Sequence, residues 1–167
     1  MSIRDVRIRP ARRADLTALG RLGALLVSTH HGFDPKRFIA ATPRTERGYA
    51  SFLGSQLEAR DVAVLVAEEN DTVIGYAYVG VEASDYMSLR GPAGVLHDVV
   101  VDPEHRGRGV GRMLLGAALE FLRSRGAPRV VLSTAARNAD AQRLFARAGF
   151  RQTMIEMTRE LEEGEEG

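Results

Sequence analysis

Residues 95–112 read Val-Leu-His-Asp-Val-Val-Val-Asp-Pro-Glu-His-Arg-Gly-Arg-Gly-Val-Gly-Arg. The first half is mostly apolar and rich in valine, which is typical of a strand, and the second half is a loop in which glycines alternate with arginines. From Val110 onward, apolar residues recur at intervals of three and four, and Gly126 supplies a stop signal. The stretch therefore predicts a strand, a glycine-rich loop and a helix in direct succession.

The loop has the features of an anion-binding site. The first backbone N–H groups of a helix have no partner inside the helix, and the aligned peptide dipoles place positive partial charge there. Glycines let the backbone approach a ligand closely, and arginines add charge. A phosphate or pyrophosphate is therefore a natural ligand, and a tight solvated turn is the alternative interpretation. The residues concerned are Arg106, Gly107, Arg108, Gly109, Val110, Gly111 and Arg112.

Two motifs resemble the GNAT superfamily of N-acetyltransferases. Its acetyl-CoA motif is Gln or Arg, two residues, Gly, one residue, then Gly or Ala, and Arg106, Gly109 and Gly111 fill those slots. Residues 138–150, Asn-Ala-Asp-Ala-Gln-Arg-Leu-Phe-Ala-Arg-Ala-Gly-Phe, are similar to the family's Asn-containing helix that ends in Gly-Phe. The resemblance covers most of the chain from about residue 62. Two other phosphate-binding motifs fit poorly, because Arg112 replaces the third glycine of a dinucleotide fingerprint and the loop lacks the Gly-Lys of a phosphate loop.

Composition agrees with one acetyltransferase domain over residues 1–161, followed by an acidic, disordered tail over residues 162–167. The chain has 167 residues, of which 44% are hydrophobic, and its net charge is +1. The arginines are spread along the chain, so we expect no nucleic-acid partner. Cysteine is absent, which excludes disulfides and thiolate metal sites. With no apolar signal segment and no run of about 20 apolar residues, we expect a cytoplasmic protein without membrane contact.

Hydrophobic periodicity and turn residues predict strands and helices that alternate along the chain. The predicted strands lie around Val6 and Ile8, over residues 62–68, 72–81, 95–101 and 129–133, and within 153–161. The predicted helices begin at Asp15 as a cap, near Thr42-Pro43, at Val110 and at Asn138, with the first helix broken by His30–Pro35. This order predicts an α/β (α+β) fold with a mixed sheet covered by helices. The resemblance implies that the sheet is mostly antiparallel and that its central strands splay apart.

The resemblance also implies how acetyl-CoA is held. In the family, the strand at residues 95–101 separates from the strand at residues 129–133, and the pantetheine arm lies in the gap. The main chain of Val99, Val100 and Val101 would meet pantetheine, and the N–H groups from Gly107 to Arg112 would hold the pyrophosphate. Asn138 matches an asparagine that touches the cofactor arm, although Asn before a helix is also an ordinary N-cap.

His97 is the first candidate for the general base. Acetyl transfer to an amine needs an uncharged amine, and an unperturbed imidazole, with a pKa near ~6.5, can accept the proton at neutral pH. Relative to the glycine loop, His97 falls where several family members carry a Glu or His proposed as base; a structural histidine is the alternative. Strand alternation predicts His97 on one side with Val99, and Asp98 on the opposite side as a supporting residue.

The position of the family's usual general acid is occupied by Phe145, which cannot donate a proton. In many members a tyrosine there protonates the coenzyme thiolate. The candidate substitutes are water or a hydroxyl of Tyr86, Ser133 or Thr134. A protein that catalyses poorly is the other possibility.

The acceptor side is predicted from the segment between the first two helices, which borders the substrate pocket in the family. The candidate residues are His30, His31, Phe33, Asp34 and Phe38, together with Asp85 beside Tyr86. The two adjacent histidines lack a carboxylate at ligand spacing, so we expect no metal site.

The sequence thus predicts an acetyl-CoA-dependent N-acetyltransferase that acts by direct transfer to a primary amine. The acceptor is either a small molecule or a peptide or protein amine, and a homodimer is possible. The alternative is a non-catalytic acyl-CoA-binding sensor or interaction module, which the phenylalanine at position 145 keeps open.

Overall fold

Four α-helices and five β-strands are found within residues 5–161, the part of the chain that the computed structural model describes. The predicted acidic tail, residues 162–167, lies outside it. None of the helices in this part is both long and apolar enough to cross a membrane. In chain order the elements are β1 Val6–Pro10, α1 Leu16–Phe33, α2 Thr45–Gln56, β2 Val62–Glu69, β3 Thr72–Glu82, β4 Ala93–Val101, α3 Val110–Ser124, β5 Val130–Leu132 and α4 Ala139–Arg147.

The strands form one sheet in the order β1-β2-β3-β4-β5. The first three pairings are antiparallel and the pairing of β4 with β5 is parallel. Asn70 and Asp71 connect β2 and β3 with φ values of 49° and 61°, a left-handed conformation that tight hairpin turns require. The mixed, mostly antiparallel sheet predicted from the sequence is confirmed.

The parallel pairing of β4 with β5 is short. It consists of Gly94 with Val130, Val95 with Val131 and Leu96 with Leu132, and then the strands part. From residue 97 to residue 101, this edge of β4 has no neighbouring strand among residues 5–161. The predicted splay is therefore confirmed, and it leaves main-chain hydrogen-bonding groups available in the middle of the sheet.

Helices cover both faces of the sheet. On one face, Leu114, Leu115, Ala118 and Leu122 of α3 are buried against apolar strand residues that include Leu96. On the other face α1 and α2 pack against the sheet, with a core formed by Leu19, Leu22, Leu53, Val64, Val66, Val73, Tyr76 and Val100. Burial on both faces fixes β4, the strand that carries the candidate base.

The helix ends differ from the predictions for local reasons. Asp15 is the N-cap residue of α1, as predicted, but its carboxylate makes no capping hydrogen bond to the helix. The carboxylate instead accepts hydrogen bonds from the Arg9 guanidinium and the backbone N–H of Arg12. Helix α1 continues to Phe33, beyond the break predicted at His30. Helix α2 begins at Thr45, after a turn in which the Thr45 hydroxyl accepts from the backbone N–H of Thr42.

The strand predicted within residues 153–161 is wrong for this structure. Residues 151–161 form no helix or strand, and all of them are exposed. The β-forming composition is present, but no partner strand among residues 5–161 lies beside it. A strand needs a hydrogen-bonded neighbour, which local sequence alone does not supply.

Candidate active site

A cleft of about 290 Å³ opens where β4 and β5 separate. Strand β4 forms its floor, α1 and the α1–α2 connection form one wall, and α4 with the preceding loop forms the other. The lining residues are Leu26, Val27, His30, Phe38, Ile39, Tyr49, Leu96, His97, Asp98, Val99, Leu132, Ser133, Thr134, Asn138, Ala141 and Phe145.

A β-bulge in β4 decides which side chains meet in this cleft. Tyr78 pairs with Asp98 and the next residue, Val79, pairs with Leu96, so His97 is the extra residue. A bulge leaves two residues opposite one and locally interrupts the alternation of side chains.

The bulge corrects the predicted facing of β4. Leu96 packs with the α3 core, whereas the rings of His97 and Tyr78 stack, and Asp98 is hydrogen-bonded to Tyr76. Both tyrosines pack on the side of α1 and α2. His97 and Asp98 therefore lie on the same side, and the prediction that they face opposite sides is wrong.

His97 is oriented by two contacts. Its ring stacks on that of Tyr78, with centroids 4.7 Å apart and planes inclined by 23°. Its Nε2 lies 3.3 Å from Oε1 of Glu82, and Arg90 Nη2 donates to the other oxygen of Glu82 at 3.0 Å. A hydrogen on Nε2 directed at Glu82 leaves the lone pair of Nδ1 available as a base. Sequence reasoning missed Glu82, which only the pairing of β3 with β4 reveals.

Asp98 is the half-buried carboxylate of the cleft. Its Oδ2 accepts a hydrogen bond from the Tyr76 hydroxyl at 2.9 Å. Burial raises the pKa of Asp98, while the Tyr76 hydrogen bond and the positive potential of His97 and His30 oppose that rise. Burial, reinforced by the Asp98 charge, raises the pKa of Tyr49 to about 12. Tyr49 therefore stays protonated at neutral pH beside this carboxylate.

The glycine-rich loop leads into α3 with its amides unpaired. Gly107 and Gly109 have φ values of 75° and 85°, a conformation that residues with a side chain rarely adopt. Gly109 is the N-cap of α3, and the first helical hydrogen bond runs from the N–H of Met113 to the carbonyl of Gly109. With respect to residues 5–161, the N–H groups of 107–112 have no acceptor. This arrangement fits a pyrophosphate.

Only some of the loop's arginines are available to a ligand. Arg108 pairs with Glu69, its Nη2 and Nη1 lying 2.5 and 3.2 Å from the carboxylate oxygens. The same guanidinium holds the pKa of Glu69 below its usual value. Arg106 Nε donates to the Val101 carbonyl at 3.1 Å, and Arg112 is exposed without an ion pair to residues 5–161.

The residues predicted to contact pantetheine, 99–101, lie along the open edge of β4. The side chain of Val100 is buried in the α1–α2 core, and those of Val99 and Val101 pack toward α3, so their backbone alone faces the gap. Asn138 caps α4, its Oδ1 accepting from the N–H of Ala141 at 3.1 Å, and it also lines the cleft. This geometry is compatible with Asn138 as the N-cap of α4 and also with its predicted contact with the cofactor arm.

Residues 29–150 match the model of the acetyltransferase (GNAT) family, which is most of the chain. The chain belongs to the GNAT family. The predicted family resemblance is confirmed.

Relatives of the chain carry acetyltransferase names. Mycothiol acetyltransferase from Thermobispora bispora is 38% identical over 92 residues, which are 55% of this chain and 31% of that protein. The uncharacterized N-acetyltransferase YhfO of Bacillus subtilis is 29% identical over 143 residues, or 86% of this chain and 88% of that one. The chain thus spans about a third of the mycothiol enzyme and most of YhfO.

A solved structure has the same fold. The aminoglycoside N-acetyltransferase AAC(6')-Iy in complex with CoA superposes with a TM-score of 0.71 at 18% identity, covering 93% of this chain and 94% of that one.

Two residues predicted for the GNAT site lie in the β3–β4 hairpin, outside the cleft. Tyr86 is 83% exposed. The Asp85 carboxylate accepts from the Ser88 hydroxyl and the Met87 N–H, which lowers the pKa of Asp85 and stabilises the turn. The structure does not bring either residue to His97.

Of the residues predicted from the α1–α2 segment, His30 and Phe38 reach the cleft. His30 Nδ1 lies 2.8 Å from the Leu26 carbonyl, so its Nε2 is the nitrogen left for a ligand. His31 Nδ1 contacts the Phe38 carbonyl at 2.9 Å. Phe33 packs edge-on against His30, and Asp34 accepts backbone N–H groups of the following turn.

Phe145, at the family's tyrosine position, lines the cleft and contacts Phe150 edge-on, with centroids 5.9 Å apart. Ser133 and Thr134 line the same cleft and are exposed. These two hydroxyls are therefore better placed than that of Tyr86 to serve a leaving thiolate.

Proposed function

We propose that this protein is an acetyl-CoA-dependent N-acetyltransferase that transfers the acetyl group directly to a primary amine. The observation that carries the proposal is the bulge in β4, which places His97 and Asp98 together in the cleft between the splayed strands. A base and a half-buried carboxylate beside an open strand edge suit an amine and an extended thioester carrier.

Acetyl-CoA enters the proposal as the acyl donor. The unpaired N–H groups of 107–112 would bind its pyrophosphate, and Arg112 would add charge. The main chain of residues 99–101 would pair with the amides of the pantetheine arm, leaving the thioester near His97. CoA in AAC(6')-Iy, a protein of the same fold, supports this assignment.

The reaction needs a proton acceptor and a proton donor. The alkylammonium form of the acceptor would be held by the Asp98 carboxylate and would lose its proton to Nδ1 of His97. The amine lone pair then attacks the thioester carbonyl carbon, forming the C–N bond, and the C–S bond breaks with its electron pair leaving on sulfur. The second proton on the attacking nitrogen would pass to the thiolate through water or the hydroxyl of Ser133 or Thr134, which gives up one proton and regains another, so that the products are the neutral amide and the thiol.

Glu82 would support His97 in this step. Its carboxylate, which Arg90 also holds, stabilises the imidazolium that forms when Nδ1 accepts the proton. Stacking on Tyr78 limits rotation of the ring. Glu82 is thus proposed as a positioning residue.

The cleft wall indicates a small acceptor with an apolar framework. Leu26, Val27, Phe38, Ile39 and Tyr49 surround the acidic floor, and no lysine or arginine is among the lining residues. A free carboxylate on the acceptor would therefore find no lysine or arginine to pair with there. The volume of about 290 Å³ suits a small molecule, and the relative named for mycothiol supports that class.

The experiment that tests the proposal measures thiol release from acetyl-CoA over a panel of amines, together with calorimetric titration of CoA. We expect release with amines on apolar frameworks and a loss of about 10²–10⁴-fold in kcat for His97→Gln at near-normal CoA affinity. Tight CoA binding with no release from any amine would favour the sensor alternative, which the acetyltransferase names of the relatives disfavour.

A further inference from the structure

Tyr49 lines the cleft with a hydroxyl that the proposed reaction leaves without a role. The residue lies on α2 and is half-buried. Gly23 of α1 makes room for its ring, because a Cβ there would lie 2.2 Å from Tyr49 Cδ1. A glycine inside a helix costs about 1 kcal/mol relative to alanine, and here it lets the ring lie directly on the α1 backbone. The packing of α1 on α2 therefore fixes Tyr49 at the cleft.

The Tyr49 hydroxyl makes no hydrogen bond within residues 5–161 and is not sealed from solvent. The hydroxyls of Tyr76 and Tyr78, in contrast, donate to Asp98 and Gln56. Burial and, second to it, the nearby charge of Asp98 raise the pKa of Tyr49 to about 12, so the hydroxyl keeps its proton close to the proposed ammonium site. A protonated phenol without a partner can donate a hydrogen bond to a ligand.

His30 presents the complementary group. Its Nδ1 lies 2.8 Å from the Leu26 carbonyl, which can only accept, so Nδ1 carries the hydrogen and Nε2 of the neutral ring has a lone pair. The rings of Phe33 and Phe38 pack edge-on against it, with centroids 5.9 and 5.1 Å away, and limit its rotation. The positive potential of His30 opposes the rise that burial causes in the pKa of Asp98, so His30 also lies near this carboxylate.

The two side chains together match one neutral group. A hydroxyl accepts one hydrogen bond and donates another, so it is the smallest group that satisfies both the Tyr49 hydroxyl and Nε2 of His30. A carboxylate would lie beside the negative charge of Asp98, and an alkyl group would leave both polar groups without partners. Because Tyr49 and His30 both lie near Asp98, the hydroxyl must be close to the amine in the acceptor.

We propose that Tyr49 and His30 select acceptors with a hydroxyl on the carbon next to the amine-bearing carbon, that is, vicinal amino alcohols with an apolar framework. Tyr49 donates to the oxygen of this hydroxyl, and the hydroxyl donates to Nε2 of His30. This assignment takes Asp98 as the ammonium site and so rests on the proposed function. Neither residue takes part in the proton transfer at His97, so both determine which amine is used.

Kinetics with a matched pair of amines test this selection. The pair is leucinol and its deoxy counterpart of the same configuration, in which a methyl group replaces the hydroxymethyl group. We expect Tyr49→Phe to lower kcat/KM for leucinol about tenfold, or ~1.4 kcal/mol, and to change kcat/KM for the deoxy amine less than about twofold. His30→Leu should act in the same direction. Because each loss is measured within one substrate, the different basicities of the two amines cancel.

Tyr86→Phe is the matched control, because it removes a tyrosine hydroxyl that is exposed outside the cleft, and it should leave both values unchanged. Equal losses for the two amines in Tyr49→Phe, or no loss for leucinol, would overturn the selection. A melting curve shows whether the variant is folded.

Thiol release from neither amine would contradict the acetyl transfer itself. Calorimetric titration of both amines into the CoA complex then makes the same comparison for binding. A loss of affinity in Tyr49→Phe that is confined to leucinol supports the hydroxyl site, and equal affinities of leucinol for the variant and the unmodified protein overturn it.

Discussion

Nε2 of His97 lies 3.3 Å from Oε1 of Glu82, which joins the bulge of β4 to the end of β3. Arg90 holds the same carboxylate from the hairpin between the two strands. The imidazole is therefore constrained at Nε2 by a carboxylate, with its other nitrogen left for proton transfer.

The Glu82 contact predicts a pH effect. Glu82→Gln should lower kcat about tenfold and move the acidic limb of the rate to lower pH, because the imidazolium loses a neighbouring negative charge. A pH–rate profile measures both changes. Glu120→Gln, which alters an exposed carboxylate on α3, is the control and should leave the profile unchanged. A profile for Glu82→Gln identical to that of the control would remove Glu82 from the mechanism.

Asp98→Asn should stabilise the fold while impairing activity. The raised pKa of Asp98 means that burying its charge opposes folding at neutral pH, and this cost disappears as pH falls and the carboxyl is protonated. We expect the variant to gain about 1 kcal/mol in free energy of unfolding at pH 7.5, with a smaller gain at pH 5. Urea titrations at the two pH values measure it. A gain that grows toward low pH would contradict the burial argument.

Gly111 should tolerate alanine but not valine. A Cβ at this position would lie 3.5 Å from Leu144 Cδ2 and 3.7 Å from Val101 Cγ2, which are ordinary contact distances. The further methyl groups of Gly111→Val should obstruct the loop and weaken CoA binding at least about tenfold. Gly116→Val on the same helix, where nothing lies within 4 Å, controls for helix propensity. Equal CoA affinities in calorimetry for the two valine variants would refute the loop assignment.

The loop arginines should separate into a binding group and a structural group. Arg112→Ala should weaken CoA binding about fivefold to tenfold and reduce its salt dependence, since Arg112 is exposed without an ion pair to residues 5–161. Arg108→Ala should mainly lower the melting temperature, because the buried Glu69 carboxylate loses its two hydrogen bonds from the Arg108 guanidinium. Calorimetric titrations of CoA at two salt concentrations, together with thermal melts of both variants, decide which arginine binds the ligand and which stabilises the fold. The reverse pattern would mean that Arg108 leaves Glu69 for the ligand.

Phe145→Tyr tests how the thiolate is protonated. If that step limits the rate, a hydroxyl at the family's tyrosine position should raise kcat, provided the packing against Phe150 is kept. Steady-state kinetics measure kcat, and a melting curve shows whether the packing is kept. An unaltered rate in a folded variant would direct attention to Ser133→Ala and Thr134→Val.

The parts of this site that depend on local sequence were predictable. The strand, the glycine loop and helix α3 follow one another, so their geometry is set by neighbouring residues, and Gly109 and Asn138 stand at the helix starts. The separation of β4 from β5 could not be predicted from composition. It was predicted from the family resemblance.

The parts that depend on pairing between strands were not predictable. The prediction from side-chain alternation assumes an uninterrupted strand. Because His97 is an extra residue in β4, Leu96 faces α3 and does not lie on the same side as Asp98. Glu82 is 15 residues before His97 and meets it through the β3–β4 register. The strand expected within residues 153–161 lacks a partner among residues 5–161, and no pattern inside one segment can supply it.

The open edge of β4 separates two kinds of recognition. An acyl carrier that binds the backbone of β4 is recognised by the spacing of the carrier's amide groups. Substitutions of β4 side chains leave the backbone N–H and C=O groups of the strand in place. The proposed acceptor, in contrast, would meet side chains from α1, the α1–α2 connection and the bulge, which line the cleft. Acceptor preference can therefore diverge through changes in a few wall residues while the acyl carrier stays the same.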